Sequence, residues 1–196
     1  QYCNYLSYVI AGNDKEGNIL KELIVKFYLD LNQSKYLMKF PRDISNSDHA
    51  YHTSISVIPI LFVYSQMISH FEDNEQKIIN QMFLDLLNKN LYVFTNDTTS
   101  SLGNHGHYVN NYRLLTSIVV NDPKLFNKSI NFFIKQIKYN HTKSGLFKSA
   151  SKRGECALHY NLHTLSPIMS ILWNLKKQNI DIKQLEKNGS LKLNET

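Results

Sequence analysis

The chain has 196 residues, 42% of them hydrophobic, and 22 lysines and arginines against 16 acidic residues give it a formal charge of +6. That length and composition suit one globular domain with a real core and exclude a disordered chain. No run approaches the roughly 18 apolar residues of a membrane span, so membrane insertion is not expected, and the positive balance favours an anionic partner.

The elements read as helices throughout, with almost no strand signal. The chain opens on Gln1 with no Met and no signal peptide, which is read as a processed or trimmed form. LKELIVKFYLDL (20–31) has apolar residues at helical spacing, and DHAYHTSISVIPILFVYSQMISHF (48–71) predicts a long, mostly buried helix kinked at Pro59. NEQKIINQMFLDLLNKN (74–90) is amphipathic, and residues 104–120 form the next helix. DPKLFNKSINFFIKQIKYN (122–140) starts with an Asp cap followed by Pro123. After a turn at 143–145, ECALHYNLHTLSPIMSILWNLKKQ (155–178) predicts a last long helix carrying Pro167. Residues 1–180 are expected to form a single domain, with 181–196 as a polar tail.

Two of these helices echo each other. His52 precedes Pro59 by seven residues and Tyr160 precedes Pro167 by seven, each with an alanine upstream (Ala50, Ala157) and an apolar run downstream. A polar head, a proline and an apolar body, repeated in a helical chain with short connections, is the pattern of stacked helical hairpins. In such a stack the apolar bodies pack inward and the polar helix starts converge on one rim.

Chemistry concentrates at two helix starts. In GNHGHY (103–108), Asn104 and His105 stand where backbone N–H groups and the helix dipole favour an anion. The same pair also reads as a helix cap beside a surface histidine. In KRGECALHYNLH (152–163), Lys152 and Arg153 precede a helix whose first turns carry His159, Tyr160 and His163, which alternatively reads as a solvated basic loop and a buried tyrosine. His159 and His163 are four apart on one helical face, but Tyr160 follows where zinc proteases place a Glu, so no metal site is assigned. Cys3 and Cys156 are too few and too far apart for a disulfide framework. No nucleophile elbow and no phosphate-cradling glycine loop is present, so no cofactor is expected. The lysines are scattered over helix faces, which does not call for nucleic acid.

These two segments together resemble the alginate lyases of the poly(mannuronate) lyase type, polysaccharide lyase family five. That family carries an Asn-His pair at a helix start, and later an Arg, a gap of six, and a Tyr inside an Ala-Leu-x-Tyr segment leading to Leu-x-Pro. Here Arg153 and Tyr160 keep that spacing, while Ala157, Leu158 and His159 before Tyr160, and Leu165, Ser166 and Pro167 after it, keep the frame. Gly103, His107, Tyr108 and Ala150 depart from the family's usual residues, which bears on the subsites more than on the chemistry.

The resemblance implies an all-α fold, an incomplete (α/α) toroid of helical hairpins with a substrate cleft on one rim. A full toroid of six hairpins needs about 300 residues at about 25 per helix and loop. This chain is therefore read as a shortened toroid or as one lacking N-terminal hairpins. The implied activity is cleavage of a 4-linked polyuronate by β-elimination, with no metal or organic cofactor. In that picture Asn104 and Arg153 neutralise the substrate carboxylate, and His105 or Tyr160 removes the C5 proton. Tyr160 then returns a proton to the leaving oxygen. His52, Tyr108, Lys152, His159 and His163 are expected to line or support the cleft. The expected partner is an anionic polysaccharide, and a substrate found outside the cytoplasm implies a periplasmic or secreted setting. A uronate hydrolase would instead need two opposed carboxylates, for which Asp43, Asp48, Asp97 and Glu155 are available, and a degenerate lyase would bind polyuronate without cleaving it.

Overall fold

A computed structural model describes residues 14–33, 46–91 and 102–180, and within them the chain is helical, with one isolated bridge between His141 and Phe147. The helices are α1 (Asp14–Gln33), α2 (Asn46–Met67), α3 (Asp73–Leu91), α4 (Asn104–Val119), α5 (Pro123–Asn140), the single turn α6 (Lys148–Ser151) and α7 (Ala157–Lys177). Short 3-10 turns cover Ile68–His70 and Gly154–Cys156. The all-helical expectation holds among the described residues. The first helix begins six residues earlier than its apolar spacing indicates, at Asp14 rather than residue 20. The last begins at Ala157, after a 3-10 turn, rather than at 155. Both α2 and α7 run on through their prolines. Cys3 and residues 181–196 lie outside the described residues.

Helix α4 is the centre of the arrangement and packs against α2, α3, α5 and α7. Its sequence shows why. On one side Tyr112, Leu115 and Val119, at helical spacing, join a core built with Leu20, Leu61, Tyr64, Met67 and Phe83. On the other, Leu114 joins a second core with Phe133, Ile137, Phe147, Ile168 and Leu175. A helix apolar on both sides has to be covered on both sides, and the two hairpin cores do that.

The connection from α4 to α5 sets the direction of everything after it. Asn121 takes the left-handed conformation, at φ 54°, while Asp122 N–H donates to Ser117 O over 2.9 Å and closes the end of α4. Asp122 then caps α5 as the sequence indicates: its Oδ1 accepts from Lys124 N and Leu125 N at 2.9 and 3.0 Å, with Pro123 at the first helical position. The chain thus reverses within three residues, and α5 returns alongside α4. After α5, the stretch holding α6 and the 3-10 turn leads into α7, which runs in the same direction as α4. Tyr108 of α4 meets His163 of α7, and Asn111 meets Ser170 further along. Helices α2, α4 and α7 therefore start at the same rim.

Asp122→Ala removes two capping bonds at a reversal on which the α4–α5 pairing depends. A loss of about 1 kcal/mol, within the range of about 0.5–2 for N-cap removal, is expected in urea unfolding followed by circular dichroism. An unchanged midpoint contradicts the assignment.

Candidate active site

The rim is built from the first turns of α2, α4 and α7 and from the turn before α7. Asn104 opens α4, with Gly103 in the cap position, so the asparagine is the first helical residue rather than the cap itself. Its Oδ1 accepts from the backbone N–H of His105 over 3.0 Å. The His105 ring lies flat against Tyr51 of α2, with centroids 4.2 Å apart and planes 14° from parallel. Tyr51 also meets the edge of Tyr108 at 5.4 Å and shares a 2.8 Å hydrogen bond between its Oη and His163 Nε2. Tyr108 Oη in turn donates to the backbone oxygen of His163 over 3.2 Å.

From His163 the ring contacts continue along α7. His159 lies 6.1 Å from His163 and 5.5 Å from Tyr160, and the Arg153 guanidinium sits over the Tyr160 ring at 4.6 Å. The two histidines predicted at i and i+4 are neighbours on one face, as the spacing requires. Among the described residues no three His, Cys, Asp or Glu side chains come together as a metal site. His52 is exposed and touches the cluster only through its neighbour Tyr51, with ring centroids 5.0 Å apart. Lys152 is exposed and adjoins the site only as the residue before Arg153.

The structure therefore links His105, Tyr108, His159, His163, Tyr160 and Arg153 through one chain of ring contacts, with Asn104 bonded at its start. The residue that joins the two halves, Tyr51, is one that sequence reasoning missed. Aligning α2 with α7 on their prolines placed His52 opposite Tyr160 and left Tyr51 one position out of register. A signal was present in the adjacent rings of Tyr51 and His52 and in the ring-rich entrance of α4, with His105, His107 and Tyr108.

Burial tunes these groups. Burial first, then the neighbouring phenols of Tyr108 and Tyr160, push Tyr51 above the usual phenol range. Burial raises Tyr108 as well. Burial, with His159 beside it, pulls His163 down. Tyr51 and His163 thus share their hydrogen bond as neutral partners at neutral pH.

Two other polar residues of α4 turn inward instead. His107 is fully buried with neither ring nitrogen hydrogen-bonded, and burial pulls its pKa down to about 3. Arg113 is buried over the Phe132 ring at 5.2 Å, and burial lowers its pKa to about 10. Both belong to the interior rather than the rim.

A groove of about 230 Å³ lies at the far end of α4, lined by Ser117, Ile118, Asn121, Asp122, Phe126 and Ile180 among others. Thirteen residues of helix, about 20 Å, separate it from Asn104. Its one carboxylate, Asp122, is committed to capping α5. Of the carboxylates that a hydrolase would need, Glu155 is exposed in the turn before α7, the side chain of Asp48 is not described, and Asp43 and Asp97 lie outside the described residues.

Amide, imidazole, guanidinium and phenol gathered at the starts of parallel helices define an all-helical protein equipped to bind an anion and move a proton beside it. The profile of the alginate lyase family matches residues 43–193, a span that includes every rim residue named above. The chain belongs to the alginate lyase family, and it is accordingly a polysaccharide lyase, an enzyme that breaks a carbon–oxygen bond. No curated protein and no solved structure was found to match it.

The buried histidines make stability pH-dependent. His107 has a folded pKa of about 3 against an ordinary 6.5, so below 6.5 the unfolded chain takes up a proton that the folded chain refuses. Stability is full above pH 6.5 and falls as pH drops toward 3, with His141 and His163, both lowered by burial, acting in the same direction. At pH 5 the His107 contribution to the loss is about 2 kcal/mol. Urea unfolding at pH 7 and pH 5 should show this loss, and His107→Leu should reduce it. An equal loss in both proteins places the titration elsewhere.

Proposed function

We propose that the chain cleaves a 4-linked polyuronate such as alginate or polymannuronate by β-elimination at this rim. The observation that carries the reading is the unbroken line of contacts from His105 through Tyr51 and His163 to Tyr160 and Arg153. It unites two sequence motifs nearly fifty residues apart, each of which alone has an ordinary structural explanation.

The chemistry follows from what elimination demands. The C5 proton of a uronate becomes removable only when the adjacent carboxylate is neutralised and can accept enolate charge. Asn104 suits one side of that carboxylate: its Oδ1 is occupied by His105 N, which leaves its NH2 as the donor. Arg153 supplies permanent charge and a forked donor on the other. Its place over the Tyr160 ring also puts positive charge beside the phenol.

In the elimination step a base takes the proton from C5, the electrons of that bond form the C4–C5 double bond, and the C4–O4 bond breaks. Tyr160 serves as base and then donates the proton to O4 when both lie on the same side of the ring, as in mannuronate. His105, held flat by Tyr51, becomes the base when they are opposed, as in guluronate, and Tyr160 donates its own phenol proton to the leaving O4. Tyr108, His159 and His163 support the cleft, and His52 and Lys152 at its exposed edge meet the polymer. The +6 charge draws a polyanion toward it. A polymer of this kind lies outside the cytoplasm, which supports an exported enzyme.

The test is to incubate the protein with polymannuronate and follow ultraviolet absorbance and reducing ends together. Elimination produces both, because the new chain end carries a conjugated unsaturated uronate; reducing ends without absorbance mean hydrolysis and end this reading. Tyr160→Phe, which removes one oxygen, is expected to lower kcat by about 10⁴ or more while binding is retained, since it removes the acid and the base together. A variant keeping more than about a tenth of wild-type kcat, a barrier change under roughly 1.4 kcal/mol, shows that Tyr160 does not carry the proton.

A further inference from the structure

Helix α7 carries a second pattern that the rim does not use. Leu158, Leu162, Leu165, Met169 and Trp173 are 72, 59, 41, 55 and 55% exposed. At about 100° per residue these five fall within about 80° of one another, so they form a single apolar stripe about 22 Å long. The residues that α7 buries, Thr164, Pro167, Ile168, Ile171 and Leu175, lie on the other side of the helix. Tyr160 shares that other side, so the stripe faces away from the catalytic phenol. Scattered exposed leucines are normal, but five large side chains in one row mark an interaction surface.

The order of the stripe identifies its occupant. It is symmetric about the point between Leu165 and Ser166. Turned end for end against a copy of itself, α7 sets Leu158 opposite Trp173, Leu162 opposite Met169 and the two Leu165 side chains beside each other at the centre. Continued through the 3-10 turn that leads into α7, the same register brings Glu155 toward Lys176. Both are exposed and neither has an ion pair among the described residues. Lys177 is placed over the Trp173 ring of its own helix at 5.6 Å, which leaves Lys176, in line with the stripe, to meet the carboxylate. A patch whose apolar and charged residues are self-complementary under a two-fold rotation is what an isologous interface requires.

We propose that two copies of this chain associate through antiparallel packing of their α7 helices. Half-exposed side chains of this size offer on the order of 500 Å² per copy, so the pair buries about 1,000 Å², enough for a reversible dimer but at the lower limit for a specific one. The pairing leaves Tyr160 open and brings Lys176 and Trp173 of the second copy toward the helix start that carries Arg153 and His159. It stands independently of the elimination mechanism.

Sedimentation velocity on the full chain over a wide concentration range tests this. A dimer that dissociates on dilution is expected. Met169→Glu, which buries a charge in the seam, should weaken it at least about tenfold without altering the helical circular dichroism. Glu155→Lys and Lys176→Glu should each weaken the dimer, and the double variant should restore it, because the charges exchange places across the axis. A chain that stays monomeric at every concentration overturns the proposal. So does a dimer indifferent to Met169→Glu, or a double variant weaker than either single one.

Discussion

The burial of α4 on all sides is the constraint on which the rest of the molecule depends. A helix covered by four others has no water to satisfy its polar side chains, so each must find a partner on a neighbouring element or carry the cost of burial. Most find one. Tyr112 Oη donates to Phe83 O of α3 at 2.7 Å, Asn110 to Ser129 O of α5 at 3.0 Å, and Asn111 accepts from Ser170 of α7 at 3.2 Å. Each net bond is worth only about 0.5–1.5 kcal/mol, but an orphaned partner costs more, so together they fix the register of α4 against three neighbours. The unpaired ring of His107 and the buried charge of Arg113 are the cost of the same placement.

Register is what the site needs. Hydrogen bonds along the body of α4 hold its first turn where His105 meets Tyr51 and Tyr108 meets His163. The reversal at Asn121 and Asp122 then returns the chain so that α7 starts beside α4 rather than at its far end. Three helix starts on one rim also align three positive dipole ends, each worth about 0.3–1 kcal/mol toward a nearby anion at a surface site. The fold thus gives the rim a positive field before any side chain is counted, and Arg153 adds a full charge to it.

Much of this was legible in the sequence, and the failures have physical causes. The Asp122–Pro123 start, the opening of α4 at Asn104 and the pairing of His159 with His163 follow from local rules that depend on a few adjacent residues. Convergence of helix starts on one rim followed from the alternation of polar heads and apolar bodies. Tyr51 escaped because its role is tertiary: nothing in its own helix distinguishes it from His52, and only the stack against His105 does. His107 shares the segment of His105, yet it lies two positions beyond it and so points into the interior. Helix α6 has four residues, too few to show a period. The stripe on α7 was hidden because that helix is apolar on both sides, and periodicity cannot say which side a core covers.

The central claim is that the starts of α4 and α7 together hold one uronate carboxylate. The most direct measurement is a crystal structure of the Tyr160→Phe chain with a mannuronate oligosaccharide bound. The account predicts one sugar carboxylate between the Asn104 amide and the Arg153 guanidinium, with C5 of that sugar facing the place of the missing phenol oxygen. A sugar seated in the groove at the far end of α4, or a carboxylate turned away from Asn104 and Arg153, contradicts it.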